Sequence, residues 1–180
     1  MNLPNKLSIL RIALIPFILL TLYVDTAASN TMALLLFVAA SFTDWLDGYL
    51  ARKNDIVTNF GKFLDPIADK LLVLSTMIGL CGMGYIPAWA CVVVLFRELS
   101  VDGLRLVAVE QRRVIAASKL GKLKTVTQMF MLIAFLLQNI GLMNQPIIPQ
   151  ILMWAAVFMT LLSGVDYFIK NKDVLKLGGM

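Results

Sequence analysis

The chain has 180 residues, 59% of them hydrophobic and 15% charged, with a net charge of +5 and no histidine. Soluble domains run at about 45–50% apolar and about 25% charged; this composition excludes an ordinary soluble fold and describes one membrane-embedded domain over residues 1–180, its basic balance directed at a membrane rather than at nucleic acid. Without histidine, Ser-His-Asp and Cys-His catalysis and His-ligated metals are excluded, so a general base must be a carboxylate, Lys, Tyr or Cys, and a bound metal must be hard and oxygen-ligated.

Apolar runs recur at residues 7–23, 31–42, 67–83, 86–96, 126–142 and 147–168. A membrane-crossing helix needs about 20 residues. The second run therefore continues through Asp44 to about Tyr49, and the fourth through Arg97 and Glu98 to about Val107. Charges within a span face a bundle interior or lie near an interface, because lipid solvates them poorly. The expectation is an all-α integral membrane protein of six transmembrane helices joined by short connections. Cys81 and Cys91 lie in apolar stretches without metal-ligand spacing and are expected to pack.

Orientation follows from Lys and Arg. Lys6 and Arg11 begin the chain. Arg52, Lys53 and Lys62 fall between the second and third runs, Arg112, Arg113, Lys119, Lys122 and Lys124 between the fourth and fifth, and Lys170, Lys172 and Lys176 in the tail. The alternate connections, 24–30, 82–85 and 141–145, contain neither residue. The positive-inside rule then puts both termini, and the charged halves of the second and fourth spans, on the cytoplasmic side of a multi-pass cell-membrane protein. A cleavable N-terminal signal ending at Ala27-Ala28-Ser29 is the rival reading, but it would leave five spans and disturb this alternation.

The second and third runs carry the chemistry. Asp44 and Asp47 are three residues apart and Asp65 and Asp69 four apart, so each pair shares a helix face. One pair closes a span and the other opens the next, so the four carboxylates can converge near one interface. Clustered anions repel unless cations lie between them, and oxygen-only ligands select Mg²⁺, Mn²⁺ or Ca²⁺. Two such ions would balance four carboxylates and could clamp a diphosphate. Gly48 and Gly61 admit a close ligand or helix, and Arg52 can pair with a phosphate. The plainer alternative makes Asp65 a first-turn acid with Pro66 at the first helical position. It leaves Asp44 and Asp47 unexplained, since late helical positions favour cations.

The stretch reads D-x-x-D-G-x-x-A-R-x8-G-x3-D-x3-D, met at Asp44, Asp47, Gly48, Ala51, Arg52, Gly61, Asp65 and Asp69. In this it resembles the CDP-alcohol phosphatidyltransferases, whose six membrane helices also match the whole chain. The resemblance implies that Asp44, Asp47, Asp65 and Asp69 bind Mg²⁺ or Mn²⁺, as two ions, with Asp69 also the proton acceptor. It implies that Gly48, Arg52, Thr58 and Gly61 bind CDP-diacylglycerol and that the protein is a homodimer with its site on the cytoplasmic side. Displacement of CMP by an alcohol oxygen is the implied reaction.

Arg97-Glu98, Gly121-Lys122-Leu123-Lys124-Thr125, and the N-terminal Leu3-Pro4-Asn5-Lys6-Leu7 with Arg11 and Pro16 are similar to members that use glycerol 3-phosphate. An anionic acceptor suits Arg97, Arg105, Lys122 and Lys124 as a phosphate pocket. The competing roles are topology and anionic-lipid contact for the lysines, and an internal ion pair with Glu98 or Asp102 for Arg97. Inositol phosphate, serine or phosphatidylglycerol are the alternative acceptors. A cation transporter, the reading from another class, would place charge near the midplane and show inverted repeats.

Overall fold

A computed structural model describes residues 3–53, 59–113, 115–116 and 118–176, and the side chains among them except those of 3–4, 44–53, 59–60, 62–63 and 175–176. Every assigned element is helical: α1 Leu3–Val24, α2 Ala27–Lys53, α3 Asn59–Gly82, α4 Ala88–Glu110, α5 Lys119–Asn139, α6 Ile147–Lys170 and the short α7 Lys172–Lys176. All six apolar runs are helices. α3 and α5 begin about two turns ahead of their apolar runs, through polar sequence. Pro66 thus lies inside α3, and Asp65 is not a first-turn acid as the plainer alternative supposed. The sequence reading had no counterpart for α7.

Among the described residues, Asn5–Val24, Lys119–Asn139 and Ile147–Lys170 are long and apolar enough to cross a membrane. Large apolar side chains such as Phe17, Leu20, Phe130, Trp154 and Phe158 are exposed. Such helices need an apolar solvent, and their own hydrogen bonds satisfy the backbone there. The protein is therefore an all-α membrane protein.

The chain divides into two compact units, Met1–Ile86 with Leu132–Pro146, and Pro87–Met131 with Ile147–Met180. In the first, α1 packs along both α2 and α3. Ile15, Ile18 and Leu22 of α1, Ala33, Phe37 and Ala40 of α2, and Ala68, Leu72 and Met77 of α3 are buried. Small residues bring the helices close. A Cβ on Gly79 would lie 3.0 Å from Leu22 Cδ1 and 3.1 Å from Leu19 Cδ2. The turn into α2 is closed by reciprocal bonds, the Ser29 amide donating to Thr26 Oγ1 at 3.2 Å and the Thr26 amide to Ser29 Oγ at 2.8 Å. This is a capping-box arrangement with Ser in the usual place of Glu.

In the second unit α4 packs on α6 and α7. Ala90, Val94, Glu98, Val101, Leu104 and Ala108 form the buried stripe of α4, at helical spacing. Tyr167 of α6 and Val174 of α7 join Val101, Leu104 and Ala108 in one cluster. Gln111 Nε2 donates to the Val174 carbonyl at 2.9 Å, which fastens α7 to the end of α4. Trp89 and Trp154 lie with ring centroids 5.1 Å apart.

Candidate active site

In the first unit the site begins where α1 meets α3. Asp65 and Asp69 are one turn apart on α3, and Ser8 and Arg11 are one turn apart on α1. Ser8 Oγ donates to Asp65 Oδ1 at 2.5 Å, and Arg11 Nη1 donates to Asp69 Oδ1 at 2.5 Å. The Arg11 side chain is fully buried, whereas that of Asp69 keeps 37% of its exposure. The arginine is thus enclosed, while part of the aspartate side chain stays accessible. Gly61 is buried on the same helix.

The structure brings Asp65 and Asp69 together as the spacing required. Asp44, Asp47, Gly48 and Arg52 lie on the last turns of α2. Their side chains are outside the described set, and Thr58 lies outside the described residues altogether. Among the described residues no three potential ligand side chains gather. The two aspartates of α3 nonetheless fit a hard divalent cation. They are oxygen donors on one helix face, and polar groups rather than apolar ones orient them.

In the second unit, three charges meet out of solvent. Glu98 of α4 accepts from Lys124 Nζ of α5 and from Arg97 Nη1, the latter at 3.2 Å. Their side chains are only 7%, 6% and 11% exposed for Glu98, Lys124 and Arg97. Each charge is expensive to bury alone, and the cluster offsets part of that cost. Gly164 makes room for Arg97, and Gly121 lies within ordinary van der Waals reach of it. A Cβ on Gly164 would lie 3.2 Å from Arg97 Cγ, and one on Gly121 would lie 3.7 Å from Nη2. Arg97 Nε is buried without a hydrogen-bond partner among the described residues.

The other two cations of the expected pocket have different surroundings. Arg105 Nε donates to Tyr167 Oη at 2.8 Å, with its guanidinium carbon 5.4 Å from the ring centroid. Lys122 is exposed on α5. Arg97 and Lys124 are therefore joined through Glu98, whereas Arg105 is bonded to Tyr167 and Lys122 is exposed. A cavity of about 760 Å³ in the same unit is lined by Arg113, Lys119, Tyr167, Lys170, Asn171 and Asp173, among others. Tyr167, which accepts from Arg105, also lines that cavity.

An ion pair of Arg97 with Glu98 or Asp102 was only the competing role in the sequence, and the sequence reasoning missed Lys124 as a partner of Glu98 and Ser8 and Arg11 as partners of the aspartates. The signal for Arg11 was present. A guanidinium inside an apolar run needs a counter-charge, and Ser8 and Arg11 repeat the one-turn spacing of Asp65 and Asp69.

A model of the CDP-alcohol phosphatidyltransferase family matches residues 1–162. A protein of Bacillus subtilis strain 168 named CDP-diacylglycerol–glycerol-3-phosphate 3-phosphatidyltransferase is 43% identical over 189 residues, covering 97% of each chain. A protein of the same name from Rickettsia typhi is 43% identical over 169 residues, covering 93% of this chain and 95% of its own.

Proposed function

Because the chain belongs to the CDP-alcohol phosphatidyltransferase family, we propose that it transfers the phosphatidyl group of CDP-diacylglycerol to glycerol 3-phosphate, giving phosphatidylglycerol phosphate and CMP. The observation that carries the chemistry is the pair Asp65 and Asp69, one turn apart on α3 and each held by a polar group of α1. The acceptor is carried by the names of the near-full-length relatives.

Asp44, Asp47, Asp65 and Asp69 would hold divalent cations, Mg²⁺ or Mn²⁺, as a pair. Bound there, the ions supply charge neutralisation for the diphosphate. Asp69 takes the proton of the acceptor hydroxyl. In a chain without histidine a positioned carboxylate is the natural base. The hydroxyl oxygen bonds to the phosphatidyl phosphorus as the bond from that phosphorus to the CMP oxygen breaks, and CMP leaves with the electron pair. Gly48, Arg52, Thr58 and Gly61 bind the CDP moiety, glycine by permitting close approach and Arg52 by pairing with phosphate. Such a transfer is mainly positioning and electrostatics.

The acceptor phosphate falls to cations drawn from Arg97, Arg105, Lys122 and Lys124. The unpartnered Nε of Arg97 supports a role in binding an anion, and Glu98 holds Arg97 and Lys124 for it. Six spans, cytoplasmic termini and a cytoplasmic-side site in the cell membrane follow from the alternation of Lys and Arg. A homodimer completes the reading by likeness to the family.

The test is an acceptor screen with purified protein, CDP-diacylglycerol and Mg²⁺, following CMP release. Glycerol 3-phosphate should support release and free glycerol only poorly. Release with inositol phosphate, serine or phosphatidylglycerol in place of glycerol 3-phosphate would overturn the acceptor while leaving the reaction class.

A further inference from the structure

We infer that Ser8 and Arg11 of α1 are positioning residues for the reaction, orienting from a neighbouring helix the two carboxylates that α3 presents. The inference rests on the reading of Asp65 as a metal ligand and Asp69 as the base.

Three observations carry it. The contacts are in register, Ser8 on Asp65 and Arg11 on Asp69, so one face of α1 reads one face of α3. Second, Arg11 is fully buried, whereas Lys6, on the turn before it, is exposed. A charge that serves only orientation in a membrane has no reason to be enclosed; Lys6 suits that role and Arg11 does not. Third, the exposure is asymmetric. Asp69 is 37% exposed and its arginine 0%, so a substrate can reach the aspartate while the guanidinium that engages it stays enclosed.

The physical need is plain. The terminal torsion of Asp is broad and roughly two-fold, so helix geometry alone does not fix the plane of the carboxylate. A donor that engages Oδ1 sets that plane and with it the direction of Oδ2. Arginine's rigid planar fork does this better than a flexible ammonium. Hydroxyl donation to Asp65 does the same for the carboxylate one turn earlier, as an outer partner orients a metal ligand.

The test uses full-length protein in detergent, with the variants Arg11→Lys, Arg11→Gln, Ser8→Ala and Ser8→Thr. Turnover and KM are read from CMP release, and Mn²⁺ binding from the paramagnetic resonance signal of the free ion. Outer partners of such sites change affinity or activity by about 10–100-fold. Arg11→Lys should lower kcat about tenfold and Arg11→Gln about a hundredfold, with KM for CDP-diacylglycerol within about threefold of the parent. Combined with Asp69→Asn, neither should lower kcat further by more than about twofold, because a residue acting through Asp69 has no additional effect once Asp69 is disabled. Ser8→Ala should weaken Mn²⁺ binding about tenfold and Ser8→Thr should restore it.

Parent-like kcat in the Arg11 variants, parent-like Mn²⁺ binding in Ser8→Ala, or losses that multiply fully with Asp69→Asn would overturn the inference and leave Arg11 as a folding residue. If Arg11→Gln does not fold, Arg11→Lys and Ser8→Ala decide the matter by the same criteria. A parent protein that neither binds Mn²⁺ nor releases CMP overturns the functional reading itself, which is a separate outcome.

Discussion

Of the four cations expected to receive the acceptor phosphate, Lys122 is the cleanest to remove. It is exposed on α5, whereas Lys124 is buried against Glu98 and Arg105 is bonded to Tyr167. Loss of Lys122 strands no buried partner. A charge-assisted hydrogen bond contributes about 1.5–3 kcal/mol. Lys122→Gln should therefore raise KM for glycerol 3-phosphate by roughly 10- to 150-fold if it contacts the phosphate, with little change in KM for CDP-diacylglycerol. Equal KM values for glycerol 3-phosphate in parent and variant would assign Lys122 to the membrane surface instead. The aspartate spacing was legible because a helix repeats every 3.6 residues, so Asp65 and Asp69 had to share a face. The exposure difference between Lys122 and Lys124 was not, because it depends on where α4 and α6 lie.

At the scale of elements, α4 and α5 are tied by Glu98. The carboxylate is on the buried stripe of α4 and receives Lys124 from α5 as well as Arg97 from its own helix. Taking the charge from this acid leaves two enclosed cations with a neutral amide. Breaking a buried pair in this way destabilises by about 3–5 kcal/mol. Glu98→Gln should lower equilibrium stability by that order in mixed detergent unfolding, and the loss should shrink when Lys124→Met accompanies it, because the stranded charge is then removed. Losses that simply add would mean the two side chains are not coupled. The helices themselves were legible as apolar runs, but the starts of α3 and α5 were not. α3 and α5 extend through Asn59–Asp65 and Lys119–Thr125, polar sequence that hydropathy does not mark as helical. α7 was invisible, being five residues long and held by Val174 in a tertiary cluster rather than by any periodicity.

For the whole molecule, the orientation in the membrane has its own test. In a background lacking Cys81 and Cys91, a cysteine replacing Thr26 or Asn144 should react with an impermeant thiol reagent added to intact cells, and one replacing Lys172 should not. The reverse labelling would invert the protein and move the proposed site to the outer face. Composition and the period of a single helix sufficed for the membrane class, the helical content, the alternation of basic connections and the carboxylate spacing. Helix packing decided which polar groups meet from different helices: Ser8 with Asp65, Arg11 with Asp69, and Lys124 with Glu98. Residues 57 and 58 positions apart in the first two pairs, and 26 apart for Lys124 and Glu98, become neighbours only when separate helices pack. That register is set by the small and large side chains between helices, Gly79 against Leu19 and Leu22 or Gly164 against Arg97, and no local pattern encodes it.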